Sequence, residues 1–310
     1  MSSQKPLVSL GLPVFNGEKY LPQAIDSILA QDFEEFELLI CDNASSDRTE
    51  EICRAYQDVD RRVRVIRHEE NIGAARNFNF TFEATEGPYF KWCACDDYLS
   101  PSYLGKVLEL LKSEPGASLS HSQTQIVDSN CDELEIFVPE FVMLPDDPVD
   151  RMMQVFRHGQ RCYEVFGVMR RETLENTGLI GNFRGGDNAL LYRLAMLGTF
   201  EIVPEPLFHL RRHEEQSTAM VSDSQSYHTW FTGRKAKISF PDWQFLRETW
   251  AAPAGIKLPV EAKLRCFSAL AGESYRRRRR LIQNLRVAGE TMIFGGSDPK
   301  RRRRLFKRNS

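Results

Sequence analysis

Residues 7–43 read LVSLGLPVFNGEKYLPQAIDSILAQDFEEFELLICDN, and this stretch decides the fold. The apolar run over 7–14 is broken by Pro13 and followed by FNG, the pattern of a buried strand and then a turn. Over 18–30, Leu21, Ile25, Ile28 and Leu29 recur at helical spacing. FELLIC at 36–41 is again a short apolar run, so strand, helix and strand follow one another.

The alternation continues outward. Cap-type Ser45 and Ser46 precede a polar helix that turns Ile52, Ala55 and Tyr56 inward. VRVIRH at 63–68 is a third strand, IGAARNFNFTFEAT at 72–85 a third helix, and GPYFKWCA at 87–94 a fourth strand. This order predicts an α/β fold with a doubly wound, mostly parallel sheet flanked by helices, whose ligands gather beyond the carboxyl ends of the strands. Further on, Pro101 opens a helix and ASLSHSQTQIVD at 117–128 reads as a strand. Residues 125–160, with Pro139, Pro145 and Pro148, read as irregular: a lid, an acceptor-binding insertion or a plain surface connection. YEVFGVMR at 163–170 reads as a strand, DNALLYRLAMLG at 187–198 as a helix, and FEIVPEPLFHLRRH at 200–213 as two short strands. Residues 223–310 read as mainly helical, with a domain boundary near residue 220.

With 42% hydrophobic and 27% charged residues over 310 positions, the composition excludes a mainly disordered chain. The net charge of −2 hides an asymmetry, because residues 261–310 carry fifteen Lys/Arg against four Asp/Glu. An acidic body thus carries a basic C-terminal region, with Arg runs at 276–280 and 301–304. Such runs suit an anionic membrane surface or a solvated tail; nucleic acid is disfavoured, since no aromatic residues interleave them. Seven irregularly spaced cysteines form neither a zinc pattern nor an even disulfide framework, and a reducing cytoplasm is the simplest reading. The N-terminus fits neither a signal peptide nor a membrane span, and no later run approaches the ~18 apolar residues that a span needs. A protein of this kind working at a membrane would visit its surface.

Four polar groups fall at the expected strand ends. Pro13, Val14, Phe15 and Asn16 close the first strand, with Glu18 just beyond, and Phe15 is suited to stack on a base. Asp42 and Asn43 close the second, where a carboxylate either accepts from a base imide or ribose hydroxyl or caps the next helix. Asn71, Gly73 and Arg76 open the third helix; glycine permits close backbone approach, and Arg76 either pairs with a pyrophosphate or acidic partner or stands on a solvated face. Asp96 and Asp97 end the fourth strand, and adjacent carboxylates there call for a hard cation such as Mn²⁺ or Mg²⁺, or form an acidic cap of the following helix.

Taken together, P-V-F-N, C-D-N-A-S-S-D, N-x-G-x-x-x-N with an internal A-R, and D-D resemble, in order and spacing, the inverting family-2 glycosyltransferases with a GT-A fold, over roughly residues 7–215. The resemblance implies a nucleotide-sugar half at about 1–100, an acceptor and catalytic half at about 101–220, and a helical basic extension over 221–310. It implies that Pro13, Val14, Phe15, Glu18, Asp42, Asn71, Gly73, Arg76 and Asp96 serve the nucleotide sugar, with Asp42 on the base. Asp96 and Asp97 stand for the D-x-D signature, whose first Asp is absent, and Asp97 is the favoured metal ligand. Arg212 and His213 follow a late strand, near the diphosphate or metal. The family's base, an Asp after a glycine-rich turn, matches Asp187, although Gly186 stands where an acidic neighbour is common.

The implied activity is transfer of a hexosyl unit from a UDP-, GDP- or dTDP-sugar to a glycan or lipid-linked acceptor. It would belong to cell-surface polysaccharide synthesis, in the cytoplasm or at the inner membrane face. Two other readings stand beside it. A non-catalytic member would keep the fold for nucleotide-sugar binding or as a scaffold. A nucleotidyltransferase would need a Gly-rich, Arg/Lys-containing loop after strand one, where PVFNGEKY stands.

Overall fold

The computed structural model describes residues 5–140, 146–158, 161–214, 216, 229–233, 240–279, 281–283 and 285–286, so Pro145, Arg280 and the Arg301–Arg304 run lie outside the described residues. Four parallel strands form its N-terminal half: β1 (Val8–Val14), β2 (Phe36–Asp42), β3 (Val63–Arg67) and β4 (Tyr89–Trp92), in the order β3-β2-β1-β4. Every residue of β1 is buried, as expected of a parallel strand covered on both faces. The helices between them are α1 (Leu21–Leu29), α2 (Thr49–Val59) and α3 (Ala74–Glu83). Helix α1 buries Leu21, Ala24, Ile25 and Ile28, a single apolar stripe. A Cβ at Gly11 would lie 2.3 Å from Thr81 Oγ1, so α3 rests directly on β1. Pro13 is tolerated inside β1 because pairing with β4 ends at Gly11 and Trp92, two residues earlier, and its missing N–H breaks no rung.

The sheet then changes character. It runs on from β4 through β8 (Val168–Arg170), β6 (Ala117–Val127) and β9 (Thr199–Arg211) to the short β5 (Tyr98–Leu99), with β7 (Glu133–Phe137) hydrogen-bonded to β6. The sheet as a whole is mixed but mostly parallel: β6 pairs with β9 in parallel over ten positions, while β8 and β5 are short antiparallel members. Helix α4 (Tyr103–Ser113) precedes β6, and α5 (Pro148–His158), α6 (Arg171–Glu175) and α7 (Gly186–Leu197) follow.

Three local readings change. The segment expected to be irregular contains β7 and α5, and α5 begins at a cap in which Asp147 Oδ1 accepts from Val149 N and Asp150 N, with Pro148 as the first helical residue. Residues 163–166 form a 3₁₀ turn ahead of β8 rather than one continuous strand. The two short strands expected over 200–213 are one strand, β9, whose register shifts near Pro206. Two further helices, Pro241–Gly255 and Val260–Arg276, bring Ala252, Ile256, Cys266 and Leu270 into the core that also holds α5 and α7.

Within the 3₁₀ turn, Glu164 is 1% exposed and its Oε2 has no hydrogen-bond partner among the described residues. Burial pushes its carboxyl from the ordinary 4.5 up to about 7. The folded state therefore holds a proton that the unfolded chain has released, and stability falls as pH rises between those two values. We expect the wild type to lose on the order of 3 kcal/mol across that window. Urea midpoints for Glu164→Gln should fall less steeply over the same range than those of the wild type, because Asp97 and Asp187 still contribute; equal slopes for the two proteins would show the Glu164 carboxyl ionised within the fold.

Candidate active site

The strand order reverses between β1 and β4, and a doubly wound sheet opens a crevice at such a point. A cleft of 340 Å³ lies there. Its first wall is the turn after β1, where Asn16 adopts a left-handed φ of 52°. Asn16 N donates to Ser45 Oγ at 2.9 Å, Gly17 N to Thr49 Oγ1 at 2.8 Å, and Asn16 Oδ1 accepts from Ser46 N at 2.9 Å. The loops after β1 and β2 are thus tied together, leaving Pro13, Val14 and the 39%-exposed Phe15 at the cleft.

Asp42 ends β2 but is fully buried and does not line the cleft. One carboxylate oxygen accepts from Ser45 N at 2.9 Å and the other pairs with Arg67, which also donates to Ser45 O. Asn43, the next residue, does reach the cleft: it donates to Asn71 Oδ1 at 3.0 Å and accepts from Ile72 N at 2.9 Å. Asn71 in turn accepts from Gly73 N. Gly73 has φ 87°, and a Cβ there would lie 2.4 Å from Gly233 N, so glycine is required by both conformation and space.

The opposite end of the floor is the Asp96–Asp97 turn, clamped by the end of β9. Asp97 Oδ1 accepts from Arg211 N at 2.9 Å, while Arg211 Nε donates to Asp96 O at 3.0 Å. The Arg211 guanidinium also donates to Gln23 Oε1 and lies over the Tyr20 ring at 4.5 Å. Asp96 Oδ2 meets His213 Nε2 at 3.0 Å, and His213 packs against Tyr20. Burial, followed by the neighbouring Asp96 charge, holds the Asp97 carboxyl well above the usual carboxylate range. Beneath it the fully buried Lys91 donates to Trp92 O at 3.2 Å and to Phe166 O, and its charge favours ionised Asp97.

The far wall comes from the 3₁₀ turn and α7. Asp187 lies in the first turn of α7 and accepts from Asn188 N at 2.9 Å. Burial pushes its carboxyl up, while the bonds from Asn188 and from the Cys162 thiol favour the ionised form. Cys162 is buried beside it with φ 58°, an uncommon conformation for a residue other than glycine, Asn or Asp. Gly185 caps α7 in the left-handed region, and a Cβ on Gly186 would lie 2.0 Å from Gly181 O. With the 181–185 turn as it stands, no side chain, acidic or otherwise, fits at 186 beside Asp187.

The cleft therefore gathers Pro13, Val14, Phe15 and Asn71 with Asp96, Asp97, Asp187, Arg212 and His213. Glu18, Asp42, Gly73 and Arg76 do not line it. Glu18 is exposed and accepts from Arg48 N at the start of α2, Gly73 shapes the loop, and Arg76 is exposed on α3. Asn43, expected at the end of the second strand, lines it, and so do Tyr20, Arg161, Cys162 and Tyr163, which carry no local signal in the sequence.

Among the described residues no group of three or more His, Cys, Asp or Glu converges as a ligand set. Two adjacent carboxylates, one buried at raised proton affinity, still fit a hard divalent ion that takes its remaining oxygens from phosphates and water. A cage supplied wholly by the protein does not fit.

The family described as "Glycosyl transferase family 2" matches residues 9–178. A putative teichuronic acid biosynthesis glycosyltransferase, TuaG of Bacillus subtilis, is 35% identical over 111 residues, 36% of this chain and 44% of that protein. An uncharacterized glycosyltransferase of Methanocaldococcus jannaschii is 32% identical over 138 residues, 44% of this chain and 48% of that one. The matched segments span less than half the length of these curated relatives. Among solved structures, S. aureus TarS 1-349 in complex with UDP-GlcNAc superposes with a TM-score of 0.57 at 15% identity, over 94% of this chain and 92% of that one. Mannosyltransferase PcManGT from Pyrobaculum calidifontis, in complex with GDP-Man and Mn²⁺, gives 0.53 at 15% identity, over 95% and 89%. At such identities these two likenesses are of fold: a GT-A type of architecture.

Proposed function

The chain belongs to glycosyl transferase family 2, and from that premise we propose that it transfers a hexosyl unit from a nucleoside-diphosphate sugar to an acceptor hydroxyl with inversion. The observation that carries this reading is one cleft holding Asp187 on one wall and the Asp96–Asp97 pair on its floor.

Ionised Asp187 takes the acceptor hydroxyl's proton as that oxygen attacks the anomeric carbon from the face opposite the departing group. The new glycosidic C–O bond forms, the bond to the diphosphate oxygen breaks, and the nucleoside diphosphate leaves with its electron pair. No covalent enzyme intermediate is needed. Phe15 and Asn43 at the β1–β2 end receive the nucleoside. Asp42 acts on the base either after exchanging its Arg67 partner or through the loop it braces. Asp97, with Asp96, would hold a divalent ion on the diphosphate, with Arg212 and His213 alongside; when bound, that ion offsets charge growing on the leaving group. Mn²⁺ and GDP-Man or UDP-GlcNAc in the named fold neighbours support a metal and a UDP or GDP donor. The name of TuaG supports an acceptor of the cell-surface polysaccharide class.

Binding and slow hydrolysis of UDP-, GDP- and dTDP-sugars, with and without Mn²⁺, test this reading. Asp97→Ala should abolish the metal-dependent part of binding, whereas Asp187→Ala should bind donor normally and lose turnover by about 10²–10⁴-fold. A protein that binds no nucleotide sugar with or without metal is a scaffold, and the catalytic reading then fails.

A pH profile adds an independent check. The base is active when ionised, so turnover falls as pH drops through its raised pKa, above the ~4 of a free carboxylate. The Cys162 thiol bond favours the ionised form, so Cys162→Ala should move the acid limb to still higher pH. An unmoved limb would remove Cys162 from the role of positioning Asp187.

A further inference from the structure

The last described helix has two faces with opposite destinies. Cys266 and Leu270 are buried against the α5–α7 core, and Arg277 on the same side lies over the Phe156 ring at 4.2 Å. Leu281 continues that buried side, its N–H bonding to Arg277 O at 3.2 Å so that the helical path runs past residue 276. Opposite this face, residues 264, 268, 271, 275, 278, 282 and 285 succeed one another by alternating steps of four and three, the spacing of one helical stripe. Along it Leu264 is 64% exposed, Tyr275 66%, Ile282 62% and Leu285 47%; Val260, one turn earlier, is 75% exposed. Large apolar side chains left in water at regular helical spacing form an unpartnered face rather than scattered surface residues.

The charge around the stripe identifies what would cover it. Arg276, Arg278, Arg279 and Arg286 are exposed on or beside it, and Arg278 lies 4.0 Å over the Tyr275 ring, folding its cation along the apolar surface. Glu273, the nearest acidic residue, is mostly buried and paired with Arg276 and Arg277. Glu261, at the start of the helix, is the exposed acid of this face. The sequence adds the Arg301–Arg304 run beyond. Apolar and aromatic residues flanked by arginines match the boundary between acyl chains and anionic headgroups. A second copy of the chain fits less well: a seam on this stripe would bury Ser268 and the Arg278 charge, and it offers about three heptads at most. No helix among the described residues is long and apolar enough to cross a membrane, so the contact is one of lying on the surface.

We propose that the exposed apolar face carried by Leu264 and Tyr275 on the helix Val260–Arg276, and by Ile282 and Leu285 beyond its end, docks this protein on an anionic lipid surface, with Tyr275, Ile282 and Leu285 entering the headgroup–acyl boundary and the flanking arginines contacting lipid phosphates. This docking is independent of which donor sugar the cleft takes.

The test is sedimentation of the full chain with vesicles of phosphatidylcholine mixed with phosphatidylglycerol, against vesicles of phosphatidylcholine alone. The wild type should partition to the mixed vesicles and release as salt is raised. The triple variant Tyr275→Ser, Ile282→Ser, Leu285→Ser removes only exposed side chains and should lose on the order of tenfold or more in partitioning. The pair Arg278→Glu, Arg279→Glu should abolish the preference for the anionic vesicles. Unchanged thermal unfolding in both variants keeps a folding defect apart from a docking defect. Three results would overturn the proposal: no binding to anionic vesicles, binding that the triple variant retains in full, or a concentration-dependent dimer that the triple variant dissolves while vesicles go unbound.

Discussion

Arg211 is the interaction on which the site depends. It ends the longest strand, and from there its main-chain N–H reaches Asp97 while its guanidinium reaches Asp96 O and Gln23, with the Tyr20 ring beneath. One side chain thereby joins the end of the mixed half of the sheet to the turn after β4 and to the first helix. The Asp96–Asp97 turn is held in shape by these bonds before any ligand arrives. Because Arg211 is 3% exposed, its charge acts on the neighbouring carboxylates with little screening from water. Burial weakens the hold of Lys91 on its proton and strengthens that of Asp97, while the Arg211 charge favours the ionised Asp97 carboxylate. A cation entering from the open side would offset the repulsion between the two aspartates.

The rest of the cleft follows from strand order. In a β3-β2-β1-β4 arrangement the loops after β1 and β4 diverge, and the tied loops after β1 and β2 form one rim while the 3₁₀ turn and α7 form the other. The chain thus divides its work. The parallel half supplies a rigid rim in which Ser45, Thr49 and Asp47 side-chain oxygens accept from the main-chain N–H groups of Asn16, Gly17 and Glu18. The mixed half supplies Asp187 and the charged residues following β9, and the parallel half adds the Asp96–Asp97 turn after β4. Preorganisation of this type keeps the cost of ordering out of the reaction itself.

Much of this was legible in the sequence, for identifiable reasons. The first four strands are short apolar runs between amphipathic helices, a pattern that periodicity reads well, and the polar residues at their ends announced most of the cleft. The rest is encoded only in three-dimensional contacts. Asp42 looks like a ligand from its place at a strand end, yet Arg67, twenty-five residues later, pairs with it. Cys162 gives no local signal, since only packing of the 3₁₀ turn against α7 brings its thiol to Asp187. Helix α5 was hidden because Pro145 and Pro148 read as breakers, whereas Pro148 occupies the first helical turn, where a missing N–H costs nothing. Strand β9 contains Pro204 and Pro206 and so reads as two pieces; its register shift absorbs them.

The contact between Gly186 and Gly181 O has a historical meaning. With 2.0 Å between that carbonyl and a Cβ at position 186, an acidic residue there is closed to this chain by any single substitution. The turn over 181–185 would first have to move outward, and only then could a carboxylate be gained beside Asp187. The order of those changes is fixed by geometry. A side chain at position 186 therefore requires the 181–185 turn to shift first.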